Sequence, residues 1–284
     1  VTQFMRLLRR QSDEVFHAVY TLFLFMKSDI GTVVLPSISM GISLAGVPDV
    51  CAFFEGIVWV TIHLLAFDVS SRQNAPCRFF QIIGVEEDRL SKPHRPISAG
   101  RINLKSSQHL HLFFVTASLI DSMRHGLFVQ STVFFILITA YNEGQLSKYW
   151  PTKSGIIAVC IGILCWGVAA CFDHGRPLSS TSISALVITV LLQATTLHAQ
   201  DFRDMAGDAA IGRKTLPMLV PRPWARGGLS ALLLAWSIIL VQFWSLPAGA
   251  ALILYGVATV TAVCFLTHAV RCGLLHVWLC LYFI

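Results

Sequence analysis

Charge is what this 284-residue sequence has least of: Asp, Glu, Lys and Arg make up 13% of it, against about 25% in a soluble globular domain. Only 15 residues are acidic and 55% are apolar, with a mean hydropathy of +0.68. That balance excludes a soluble domain and makes the chain an integral membrane protein. The eight cysteines (51, 77, 160, 165, 171, 264, 272 and 280) contain no C-x-x-C pair, so they read as small apolar filler in a reducing setting. His109 and His111, two apart, point to different helix faces and make no metal site. No small-residue cleavage site follows a short apolar core near the start, so a removable signal peptide is not expected.

What is present is a series of apolar runs of the length that crosses about 30 Å of hydrocarbon. They predict an all-α helical bundle of about nine transmembrane helices over residues 30–46, 51–70, 106–123, 126–141, 155–172, 181–200, 226–246, 248–270 and 273–284. The last is too short to span, being cut off at Ile284 or lying partly in the surface. Residues 1–29 carry arginines around an apolar seam and read as an interfacial helix leading into a single membrane domain over 30–284. Pro36, inside the first span, predicts a kink. If the spans alternate, nineteen of the 21 Lys and Arg residues fall on the side of the N-terminus, and only Arg124 and Arg176 fall opposite. By the positive-inside rule that side is cytosolic. The net charge of +6 thus reads as topology and contact with anionic lipid, with no case for nucleic acid.

Two stretches on that cytosolic side carry chemistry. In QDFRDMAGDAAIGRKTLP, residues 200–217, an apolar helix runs straight into Asp201, Asp204 and Asp208, spaced i, i+3 and i+7 on one helical face. Three like charges repel, so they need a cation. Mg2+ bridging to a phosphorylated ligand fits, because it takes one or two carboxylates and completes its shell with water and phosphate oxygens. Arg213 and Lys214 follow, placed for those phosphates. The alternative is an acidic helix end with a solvated basic loop. QIIGVEEDRLSKPHRPISAGRI, residues 81–102, repeats the construction with Gln81, Glu87, Asp88, Lys92 and Arg95; its prolines hold Lys92 and Arg95 back over the carboxylates. Lys148 and Lys153, in SKYWPTK, read equally as further cations for the site or as membrane-surface anchors. His198, one turn before Asp201, reads as a packed helix residue.

These two stretches resemble the aspartate-rich motifs of the UbiA superfamily of membrane prenyltransferases, and the helix count and charge map fit the resemblance over the whole chain. It implies a bundle of nine spans in which Mg2+ holds an isoprenoid diphosphate between the motifs and the chain ionises to a carbocation. Carried over by position, Gln81, Glu87, Asp88, Asp201, Asp204 and Asp208 are the metal-binding set, with Asp88 and the three later aspartates catalytic. Lys92, Arg95, Arg213 and Lys214 then bind diphosphate. The first motif departs from the common form, whose opening Asn-Asp and middle Asp fall on Phe80, Gln81 and Gly84; only Asp88 survives. Gln81 and the Glu87-Asp88 end resemble the fungal UbiA-type terpene cyclases, although the Asn expected before Gln81 is a Phe. Replacing Ser71–Phe80 by one Asn would give an uninterrupted motif, which points to an insertion or a gene-model error there.

The implied activity is a Mg-dependent terpene cyclase acting on an isoprenoid diphosphate, farnesyl diphosphate foremost. A prenyltransferase with an aromatic or other acceptor is the alternative, and a binding or inactive membrane protein the third. The expected setting is multi-pass in the endoplasmic reticulum, motifs to the cytosol.

Overall fold

The computed structural model describes residues 2–70, 95–210 and 212–267. Among these the fold is all-helical, and the only β-type pairing is one parallel bridge between Tyr149 and Lys214. The helices are α1 Thr2–Met26, α2 Leu35–Ala45, α3 Val50–Ser70, α4 Leu104–Arg124, α5 Phe128–Asn142, α6 Trp150–Phe172, α7 Ser180–Thr196, α8 Asp201–Ala210, α9 Leu216–Leu219, α10 Arg222–Trp244 and α11 Ala248–Leu266. Their starts follow from short polar residues that supply the missing acceptor for first-turn amides. Asp49 accepts from the Ala52 N–H at 2.9 Å before α3, Asn103 from Ser106 at 2.8 Å before α4, and Ser179 from Ser182 at 3.0 Å before α7. The first of these amides is the main reason the Asp49 carboxyl lies below its ordinary range, with the His174 imidazole adding to it.

The expected helix between 1 and 29 is present as α1, and the chain then bends by 60° before continuing through Ile30–Ala45. A π-helical turn over Ile30–Val34 sits between the bend and α2, and Pro36 lies in the first turn of α2. The proline therefore stands several residues after the bend rather than at it. A ring without an N–H fits a first turn, where that donor has no partner to lose.

Nine spans are not what the described residues display. Five helices are long and apolar enough to cross a membrane (α3, α6, α7 with its extension to Ala199, α10 and α11), and a sixth crossing exists if the bent pair counts as one. Helices do stand where 106–123 and 126–141 were expected, but α4 is too polar and α5, at 15 residues, too short to qualify alone. The physical reason in α4 is visible. Ser107, Ser118 and Ser122 are fully buried, so part of what lowers its hydropathy faces protein rather than lipid. The run 273–284 lies outside the described residues.

α6 is the axis of the bundle. Its Ile161 and Cys165 join Met40, Leu186, Leu192, Leu229 and Leu233 in one apolar cluster, while its Leu164, Val168 and Phe172 join Trp59, Leu64 and Phe134 in another. Lipid tails are as apolar as leucine, so helices in a bilayer associate through close packing and interhelical hydrogen bonds. Gly167 shows how close: a Cβ there would lie 2.2 Å from the Trp59 ring. The Trp59 indole donates to Ser122 at 3.2 Å, and His63 meets Ser131 at 2.7 Å, which ties α3 to α4 and α5.

The connections alternate, so the helices present two ends. At one, Asn142 donates to Ser70 at 3.1 Å, and the Lys214 N–H donates to the Lys148 carbonyl at 3.2 Å. This end collects the finish of α3, α5 and α7 and the start of α6 and α10.

Candidate active site

The second acidic stretch does not continue the helix before it. α7 stops at Thr196, a 3-10 turn covers Leu197–Ala199, and α8 starts afresh at Asp201. The expected i, i+3, i+7 spacing survives because all three aspartates lie inside α8. Starting the helix at Asp201 also sets that carboxylate in a first turn, the end of a helix that favours negative charge.

Asp201 and Asp208 are each 1% exposed, and neither is left without a cation. The Lys153 ammonium, from the first turn of α6, donates to Asp201 Oδ1 at 2.6 Å and to Asp208 Oδ2 at 3.4 Å. The Arg213 guanidinium donates to Asp208 Oδ1 at 2.7 Å. One lysine thus bridges two buried carboxylates from a different helix, an arrangement that breaking at either partner makes costly. Burial pushes the Asp201 carboxyl above its ordinary range, with the Lys153 ammonium opposing.

Among the remaining sequence-predicted residues, Asp204 is partly exposed and takes Arg203 Nε at 2.9 Å. Lys214 is exposed, and its backbone rather than its ammonium pairs with the SKYWPTK loop. Arg95 lies, partly buried, in the turn that leads to α4. His198 is buried in the 3-10 turn, as a packed residue would be. Gln81, Glu87, Asp88 and Lys92, with the segment 71–80, lie outside the described residues. Sequence reasoning gave Lys153 no more weight than Lys148; the signal that singles it out is its place at the first turn of an apolar helix, where an ammonium has no business without an anion.

The donor set suits a hard divalent cation, being carboxylate oxygens. Asp201 Oδ2, moreover, is buried with no hydrogen-bond partner, a vacant oxygen that a metal would use. Among the described residues no three His, Cys, Asp or Glu side chains converge as a metal site. Lys153 and Arg213 hold the oxygens that a metal would share.

Comparison with known proteins places this geometry in context. Fumagillin beta-trans-bergamotene synthase of Aspergillus fumigatus is 37% identical over 228 residues, 80% of this chain and 76% of that protein. A polyprenyl transferase of Hericium erinaceus is 26% identical over 219 residues, 72% of this chain and 70% of its own length. In fold, the chain matches a UbiA homologue from Archaeoglobus fulgidus solved with GPP and Mg2+ at a TM-score of 0.65 and 11% identity, covering 93% of this chain and 98% of that one. The model of the UbiA prenyltransferase family matches residues 32–275, and this chain, with its all-helical bundle and its acidic helix at one end, belongs to that family.

Proposed function

We propose that this protein is a Mg-dependent membrane terpene cyclase that ionises an isoprenoid diphosphate, farnesyl diphosphate foremost, and closes the carbocation on its own chain. The observation that carries the proposal is the buried pair Asp201 and Asp208, bridged by Lys153 where the apolar bundle meets polar loops. Paired buried carboxylates with adjacent Lys and Arg suit a polyanionic ligand that arrives with a divalent cation. Similarity to a bergamotene synthase supports cyclisation over transfer.

In this reading Asp201, Asp204 and Asp208, with Gln81, Glu87 and Asp88 of the first motif, would hold Mg2+, which would supply Lewis-acid neutralisation of the diphosphate oxygens. Lys153, with Arg213, Lys214, Lys92 and Arg95, would face the diphosphate and stabilise charge as the C–O bond breaks. Both electrons of that bond leave with the diphosphate. A distal double bond then attacks the allylic cation, and a proton passes from a neighbouring carbon to the departed diphosphate. Residues 1–29 serve as an interfacial segment. α4 and α5 complete the crossings with Ser107, Ser118, Ser122 and Ser131 turned inward, and the motif end faces the cytosol, in the endoplasmic reticulum.

The test is incubation of membranes carrying the protein with Mg2+ and farnesyl or geranylgeranyl diphosphate, without acceptor. A cyclic hydrocarbon that requires Mg2+ and disappears in Asp201→Ala is expected. Consumption of substrate only after a phenolic acceptor is added would make the protein a prenyltransferase, the reading that similarity to the polyprenyl transferase favours.

A further inference from the structure

One polar side chain inside the bundle is left without an internal partner on a face that leads to the acidic site. Gln193 on α7 is 1% exposed, and its amide nitrogen is buried with no hydrogen bond. The other polar residues of that face provide for themselves: Thr189 donates to the Ala185 carbonyl at 2.9 Å and Thr196 to the Leu192 carbonyl at 2.7 Å. A glutamine in an apolar interior has no such recourse, and an unmet amide there is costly enough that natural interiors seldom keep one without a use.

The helical register locates the amide. Three residues earlier, Val190 meets α6 where a Cβ on Gly162 would lie 2.5 Å from its side chain. One residue earlier, Leu192 packs in the cluster with Leu229 and Leu233 of α10. At 100° per residue Gln193 falls between these two contacts, on the seam of α6, α7 and α10. Along the chain it lies one turn before the end of α7 at Thr196 and eight residues before Asp201, on the bilayer side of the acidic helix. A diphosphate held at Asp201 and Asp208 would send its isoprenoid tail to that depth.

We infer that Gln193 is a specificity-determining residue whose amide contacts the ionised isoprenoid chain and fixes which carbon carries the positive charge when the ring closes. The inference rests on the proposed cyclase reading. The ends of an amide exchange by rotation about its last bond, so the unfilled position offers an oxygen as readily as an N–H. An amide oxygen aimed at a cation in a water-free interior stabilises charge there without supplying a proton acceptor that would end the reaction early. Eight residues separate Gln193 from Asp201, so the effect expected of it is on ring closure rather than on C–O cleavage.

The experiment measures diphosphate release and hydrocarbon composition together, in membranes carrying the full chain, with farnesyl diphosphate and Mg2+. Gln193→Met keeps volume and removes the amide; Gln193→Leu does so with a different shape. Release within about threefold of the parent is expected for both, with the ratio of major to minor hydrocarbons shifted about tenfold, the size of one hydrogen bond to a charged group. Normal release with an unchanged ratio in both variants overturns this inference and leaves the cyclase reading standing. Loss of release in both, at normal protein levels, also overturns it, because it moves the amide into ionisation or folding. Absence of Mg-dependent release from the parent protein overturns the cyclase reading and this inference with it.

Discussion

The two ends of the bundle differ in which charged pairs join separate helices. At the acidic end, Lys153 and Asp201 are 48 residues apart in sequence and meet at 2.6 Å with side chains 12% and 2% exposed. At the other end the pairs are neighbours in sequence: Arg124 with Asp121 at 3.8 Å and Arg176 with Asp173 at 3.5 Å, the arginines 71% and 73% exposed. His174 reaches Asp49 at 2.9 Å between two connections, both more than half exposed. Exposed local pairs are worth little and mark where a helix leaves the membrane. Buried pairs that join different helices oppose their own desolvation, and among the described residues their place at the acidic end alone points to work done there.

The contrast can be broken most forcefully at its centre. Lys153→Met leaves Asp201 and Asp208 buried with less countercharge, and a loss of about 3–5 kcal/mol is expected. Thermal unfolding in detergent should show it, and millimolar Mg2+ should restore part of the loss if metal and ammonium compete for the same oxygens. Failure of Mg2+ to protect the variant would separate the lysine from the metal site. Next in size, Asp201→Ala should lower Mg-dependent diphosphate release by about 10²–10³-fold, the usual scale for removing one group that stabilises developing charge. A variant with near-parental turnover would remove Asp201 from the site.

The far end should answer weakly to the same treatment. Arg124→Ala and Arg176→Ala are each expected to change stability by less than about 1 kcal/mol and to leave diphosphate release untouched. A larger effect would mean the pairs are not merely solvated. The smallest effect concerns pH. The Asp49 carboxyl is held below its ordinary range, first by the Ala52 amide and then by the His174 imidazole. A depressed carboxylate contributes stability above its unfolded pKa and loses it as pH falls through the folded one. Asp49→Ala should therefore flatten the acid limb of the unfolding profile only slightly, and an unchanged profile would show that the amide cap counts for nothing.

Much of this was legible in the sequence where the signal is local. Apolar runs placed the helices, and the spacing of Asp201, Asp204 and Asp208 gave one face of one helix even though that helix is separate from the one before it. What hydropathy could not read is direction: the serines of α4 count as polar whether they face water, lipid or α3. Lys153 was hard to single out for a related reason. Its partners lie 48 and 55 residues along the chain, and spacing within a segment says nothing about which helix stands opposite. Gln193 is quieter still, one amide in an apolar run whose meaning comes from what fails to meet it.

Gly167 and Trp59 carry a consequence for inheritance. The indole fills the space in which any side chain on residue 167 would begin, and the same indole reaches Ser122 on a third helix. A single substitution at either position breaks a fit that only a matched change at the other restores. Across descendants of this sequence the two sites should change together or not at all, the large ring staying only where the glycine stays.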